Sequence, residues 1–266
     1  MTPRGSGTDP RGGEVALVTG AAGGIGLAVV RALAGRGTRV AAVDRGAEVL
    51  HARVDGLRRA GLPVTAHPAD VTDPASVATV VAAVEERVGP IGYLVNSAGL
   101  LRTGPVRETS ARDWADMFAV NAGGVFHVSR AVVDRMVERR RGALVTIASN
   151  AATTPRAEMA GYAASKAAAA MFTKSLGLEV ARYGIRCNVV APGSTETPML
   201  WSMWRDEEGR TRTLRGDPDA FRVGVPLGKT AQPEDVADAV LFLLSERAGH
   251  ITLHHLTVDG GAALGA

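Results

Sequence analysis

The 266-residue chain is expected to fold as an α/β domain, with a parallel sheet covered by helices on both faces. Three observations predict this. Short apolar runs of strand type alternate with helical stretches from residue 14 to the end. A glycine-rich turn follows the first run, where a strand hands over to a helix. Hydrophobic residues make up 46% of the chain and charged residues 21%, enough apolar material for one full core. A doubly wound domain accommodates this length without splitting, so residues 14–266 are read as a single domain. Residues 1–13, rich in Pro, Gly and Arg, are read as a flexible leader outside it.

Each element has its own signal. Residues 14–19 form an apolar run ending in glycines, 25–35 have helical spacing, and 39–43 are β-like again, which makes a βαβ unit. The alternation continues with a helix at 48–60, a strand at 64–67, a helix at 74–88 and a strand at 93–96. Two long helical stretches, 111–139 and 160–183, flank a strand at 143–149. Strands at 186–191 and 252–258 enclose a helix at 233–245. Residues 198–222 interrupt the pattern. They are charged and irregular yet carry Met199, Trp201, Met203 and Trp204, which suits a lid whose apolar side chains close over a ring.

Composition excludes several classes of function. The net charge is +3 and the arginines are scattered, so no basic stripe for nucleic acid is expected. The densest basic run, Arg139 to Arg141, ends a helical stretch before Gly142 and is explained by the helix dipole. No uninterrupted apolar run reaches the roughly 18 residues of a membrane span, and a cytoplasmic location is expected. The single cysteine, Cys187, rules out an intramolecular disulfide. No metal site is expected: His250, His254 and His255 lie in or beside a predicted strand, without a helical ligand pair.

The turn Thr19-Gly20-Ala21-Ala22-Gly23-Gly24-Ile25-Gly26 puts glycines where a backbone must turn sharply beside a pyrophosphate at a helix N-terminus. This is the Rossmann-type arrangement, and Gly20, Gly24, Ile25 and Gly26 are candidate cofactor contacts. Asp44, at the end of the second strand, stands where an acid accepts hydrogen bonds from the adenosine ribose. Its charge would repel a 2′-phosphate, so NAD is expected despite the neighbouring Arg45.

The sharpest signal is Tyr162-Ala163-Ala164-Ser165-Lys166. Four residues apart on a helix, the phenol and the ammonium share one face. The chain has three lysines against 27 arginines, so a lysine here implies a need for a compact, titratable ammonium. Lys166 is expected to lower the phenol pKa so that Tyr162 can act as a general base toward an alcohol. Ser149, at the end of a predicted strand, could hydrogen-bond the substrate oxygen. Asn121 is a candidate to hold a proton-relay water, with a packing amide as the plain alternative.

From residue 14 onward the chain resembles the short-chain dehydrogenase/reductase family. The resemblance is carried by the Thr19 to Gly26 turn, Asn96-Ser97-Ala98-Gly99, Asn121, Ser149, the Tyr162/Lys166 pair, and Pro192-Gly193 with Thr195 and Thr197. One departure stands out: the family commonly has Asn-Asn-Ala-Gly, and Ser97 replaces the second Asn. The resemblance implies that Asp70 and Val71 meet the adenine, that Asn96, Ala98 and Gly99 line the cofactor along with Tyr162 and Lys166, and that Thr197 binds the carboxamide. It also implies a homotetramer built through the two long helices and the C-terminal strand.

Within the family the chain is similar to the dehydrogenases that convert 2,3-dihydro-2,3-dihydroxybenzoate to 2,3-dihydroxybenzoate in siderophore pathways. The similarity rests on Ala98 to Arg102, Thr154-Pro155-Arg156 running to Lys166, Arg186 to Thr195, and the tail from Val225. It implies a cyclohexadiene carboxylate substrate, with Arg102 or Arg156 as the partner of its carboxylate. Asn150, Met159 and Met199 are candidate ring contacts. Two other readings stay open: the same chemistry on trans-2,3-dihydro-3-hydroxyanthranilate, and a non-catalytic dinucleotide sensor.

Overall fold

The computed structural model describes residues 14–204 and 206–265. The leader expected at residues 1–13 lies outside them. Seven strands form one sheet in the order Val64–Pro68, Arg39–Asp44, Val15–Thr19, Ile91–Asn96, Gly142–Ile147, Ile185–Pro192 and His255–Val258, with every neighbouring pair parallel. The first half of the chain supplies β1 (Val15–Thr19), α1 (Gly24–Ala34), β2 (Arg39–Asp44), α2 (Ala47–Arg59), β3 (Val64–Pro68), α3 (Pro74–Arg87) and β4 (Ile91–Asn96). The second half supplies α4 (Ala111–Phe118), α5 (Gly124–Arg139), β5 (Gly142–Ile147), α6 (Ala160–Val180), β6 (Ile185–Pro192), α7 (Pro198–Trp201), α8 (Gly209–Arg215), the two-residue strands β7 (Gly216–Asp217) and β8 (Arg222–Val223), α9 (Pro233–Leu244) and β9 (His255–Val258). This is the Rossmann-type, doubly wound parallel sheet that the alternation predicts.

Alternation of side chains along a strand divides the core in two. In β1, Ala16 and Val18 join the layer under α1, α2 and α9, while Val15 and Leu17 join the layer under α3 and α5. All five residues of β1 are buried, as a central strand covered on both faces requires. The chain leaves β1 for β2 and β3 on one side, then crosses to β4 on the other. The strand order therefore reverses between β1 and β4, the position at which such sheets open a crevice at their carboxyl ends.

Three expected boundaries are corrected. The helical stretch 111–139 is two α-helices joined by a π turn at Ala119–Gly123, where the Asn121 side chain bonds to the backbone of Leu100. The strand expected to reach Ser149 ends at Ile147, and Ser149 instead caps a short 3₁₀ turn, accepting the Ala151 amide at 3.1 Å. The last strand starts at His255 rather than at 252. Leu253 has φ +62°, which breaks the extended chain, and the amides of Leu253 and His254 bond to the Cys187 carbonyl and the Asn188 side chain.

Candidate active site

A cavity of about 420 Å³ lies over the carboxyl ends of the strands, lined from Gly20 on one side to Ala262 on the other. Its floor at the cofactor end is bare backbone. Gly20 has φ +68°, and a Cβ there would sit 2.7 Å from the Ala98 amide nitrogen. At Gly26 a Cβ would sit 2.1 Å from the Gly20 carbonyl oxygen, so the turn and the first helical turn pack backbone on backbone. Gly23 caps α1 with no side-chain hydrogen bond, which leaves the helix's first amides facing the cavity. An uncapped helix N-terminus beside bare glycines suits a pyrophosphate.

Two acids border this end. The Asp44 carboxylate accepts the Ala22 amide on one oxygen and the Gly46 amide on the other, both at 3.1 Å, and so ties the glycine turn to the end of β2. Asp70 accepts both the amide and the hydroxyl of Thr72 at 2.8 Å, and these bonds hold its carboxyl below the usual range. Arg45, Ile25, Val71, Ala98, Gly99, Pro192, Gly193, Thr195 and Thr197 also reach the cavity wall. Thr19 locks the two central strands together, its hydroxyl accepting the Ser97 and Ala98 amides at 3.0 and 3.2 Å.

The chemistry-bearing group sits on the first turns of α6. Tyr162 and Lys166 are 7% and 4% exposed, on the wall that also carries Ser149. Burial pushes the phenol up to about 12, against a hydrogen bond from Ser149 that pulls it down. Burial lowers the ammonium to about 8. The Lys166 Nζ donates to the Ile147 carbonyl at 2.8 Å and stands 5.9 Å from the centre of the Tyr162 ring. Desolvation is the larger cause of both shifts, and the Ser149 hydrogen bond favours the phenolate.

Some expected residues stand behind the wall rather than in it. The Asn96 amide donates to the hydroxyls of Ser129 and Thr146, inside the sheet layer. Asn121 is fully buried in the π turn, accepting the Leu100 amide at 2.8 Å and donating to the Leu100 carbonyl and the Ser165 hydroxyl, each at 2.9 Å. Both amide hydrogens and one lone pair of the amide oxygen are thus taken up within the protein. A Cβ on Gly99 would lie 3.4 Å from the Lys166 Nζ and 3.6 Å from the Asn121 Oδ1, so this glycine keeps the wall beside both side chains open.

At the other end, Asn150, Arg156, Met159 and Met199 line the cavity, but Arg102 does not. Arg102 is half exposed and pairs with Asp113 at 3.4 Å. Pro198, Met199, Leu200 and Met203 also line this end. The two tryptophans do not. The Trp201 indole donates to Glu196 at 2.8 Å, and Trp204 packs on Gly209 and donates to Thr213 at 3.2 Å. Ser194 and Arg222 also line the cavity, and sequence reasoning passed over both. Arg222 is one arginine among many in an irregular stretch, and no spacing marks it.

Comparison with known proteins agrees with this geometry. The chain is 53% identical over 95% of its length to the 2,3-dihydro-2,3-dihydroxybenzoate dehydrogenase of Bacillus subtilis, covering 97% of that protein. It is 41% identical over 96% of its length to the Escherichia coli enzyme of the same name, covering 98% of it. Among solved structures, a variant of the actinorhodin polyketide ketoreductase with NADPH superposes with a TM-score of 0.88 at 39% identity, over 96% of this chain and 99% of that one. Residues 14–208 match the family described as short chain dehydrogenase, and with a catalytic-type Ser, Tyr and Lys gathered on one wall of the cavity, the chain belongs to that family.

Proposed function

We propose that this dehydrogenase oxidises 2,3-dihydro-2,3-dihydroxybenzoate to 2,3-dihydroxybenzoate, with NAD as the acceptor, in siderophore-type catechol supply. The observation that carries the reading is one cavity holding Ser149, Tyr162 and Lys166 at one end and Arg156 at the other, in a chain 53% identical to a relative named for that reaction. The apolar side chains of the wall, Leu100, Leu101, Met159 and Met199, fit a six-membered ring.

Gly20, Gly24, Ile25 and Gly26 would hold the pyrophosphate, Asp44 and Arg45 the ribose, and Asp70 and Val71 the adenine. Ala98, Gly99, Pro192, Gly193, Thr195 and Thr197 would hold the nicotinamide end, with Asn96 bracing that wall from behind. When bound, NAD supplies the hydride acceptor. Asp44 favours NAD over the phosphorylated form, because a carboxylate at the ribose repels a 2′-phosphate.

Ser149 holds the carbinol oxygen by a hydrogen bond, and Tyr162 takes the hydroxyl proton at its phenol oxygen. Lys166 orders the end of β5 through the Ile147 carbonyl and passes a proton from the phenol toward the π turn at Asn121. Loss of hydride and proton leaves a ring ketone, which tautomerises to the phenol, so aromatisation draws the reaction forward. Arg156, with Asn150 and Met159, orients the carboxylated ring.

We further propose a single domain over 14–266 with 198–222 as its lid, a cytoplasmic enzyme, and a homotetramer. Exposed Phe126 on α5 and Met171 and Leu178 on α6 support the assembly, since they form an apolar face on the two long helices.

The test supplies the purified protein with NAD or NADP and with the dihydroxy or the amino-hydroxy cyclohexadiene acid, following reduced nicotinamide. Faster turnover of the diol with NAD is expected. Preference for the amino acid substrate, or for NADP, would overturn the respective half of the proposal.

A further inference from the structure

Two arginines converge on the cavity's far end without an ion-pair contact among the described residues. Arg156, in the loop before α6, and Arg222, which begins β8, both line the cavity wall and are both half buried. Each is held by a neutral acceptor: Arg156 donates to the Ala262 carbonyl at 3.0 Å and Arg222 to the Ser194 hydroxyl at 3.1 Å. Among the described residues, neither is within 4 Å of a carboxylate oxygen.

Two acids face the pair. Asp259 faces Arg156, but its oxygens already accept the Asn150 side-chain amide and the amides of Gly261 and Ala263. Asp217 faces Arg222 from the neighbouring strand β7. Burial lowers the pKa of both guanidiniums, and the charge of Arg156 lowers that of Arg222 further. Like charges converging on one wall are costly until an anion comes between them, and planar forks suit a carboxylate.

We propose that Arg222 is the second arm of a carboxylate clamp with Arg156, so that the substrate's carboxylate ties the 198–222 segment down over the ring. This rests on the carboxylated-ring reading above and adds to it a specificity-determining residue supplied by the covering segment. An acid would then be selected by two elements far apart in sequence, and a neutral cyclic alcohol would leave the segment untied.

The test compares Arg222→Gln, Arg222→Lys and the parent protein, each with NADH, for binding of two ligand pairs: 2,3-dihydroxybenzoate against catechol, and benzoate against benzamide. Loss of a charged hydrogen-bonding partner is expected to weaken the acids about 10- to 100-fold in Arg222→Gln while moving the neutral partners less than about threefold. Arg222→Lys should fall between, because it keeps the charge and loses the fork.

Equal weakening of acid and neutral ligands, or weaker NADH binding with an unchanged acid preference, would overturn the clamp and make Arg222 a structural brace or a cofactor contact. If the parent oxidises the dihydrodiol acid and neither variant changes the acid preference, the clamp alone falls. If the parent fails to oxidise that acid yet prefers benzoate to benzamide through Arg222, the clamp stands and the assigned substrate falls.

Discussion

Tyr162 and Lys166 are set against each other by burial, the phenol at about 12 and the ammonium at about 8. The consequence for stability follows from linkage. Below pH 8 the folded and unfolded chains both hold the lysine proton, and the fold bears the full penalty of a buried cation. Between about 8 and the ordinary 10.5 the folded chain has released it while the unfolded chain has not, so stability rises with pH across that window. Lys166→Met removes the titration. The melting temperature of the parent should therefore gain on that of Lys166→Met between pH 8 and pH 10, and parallel curves would show that the ammonium is not desolvated. Ser149 acts on the other group. Its hydrogen bond is what favours the phenolate, so Ser149→Ala should shift the alkaline rise of kcat/KM to higher pH and lower kcat roughly 10²- to 10³-fold. An unmoved limb would separate Ser149 from the titration of Tyr162.

At the scale of elements, the glycine turn and the π turn show what a sequence displays and what it conceals. Gly20 and Gly26 stand out because bare backbone is the only way to bring a turn, a helix and the end of β4 together, and glycine is visible as a letter. Gly26→Ala would press a methyl group onto the Gly20 carbonyl, which cannot swing aside. It should cost about 1–3 kcal/mol in a thermal melt and sharply weaken NAD binding. Unchanged affinity would mean the turn does not hold the pyrophosphate. The strands and most helices are equally legible, because their burial follows a simple period. The π turn is not: apolar spacing continues from α4 into α5, and only the three side-chain bonds of Asn121 reveal why the helix widens there. The Tyr162/Lys166 pair is legible for the same reason as the helices. Arg222 is not, since its place depends on the path of an irregular segment, and Arg102 and Arg156 look alike until the fold pairs the first with Asp113 and turns the second inward.

For the whole molecule, the apolar residues left outside are as informative as those within. Met171 and Leu178 on α6 are 60% and 71% exposed, whereas the opposite face of the same helix buries Tyr162, Lys166 and Ala169. An interface on the exposed face would therefore share one helix with Tyr162 and Lys166. Met171→Glu with Leu178→Glu should reduce the assembled mass measured by light scattering and reduce turnover with it. A mass equal to that of the parent would place the interface elsewhere. The strand order also bears on how the molecule comes into being. β1 can pair with β2 early, but its other neighbour, β4, lies more than seventy residues further along, and the cavity draws on groups as far apart as Gly20 and Ala262. At synthesis rates of about 5–20 residues per second, the interval between those two leaving the ribosome is roughly 12–48 s. For that time the nascent chain carries its glycine turn on a half-built sheet with an open edge. No shorter nascent chain holds the whole cavity wall.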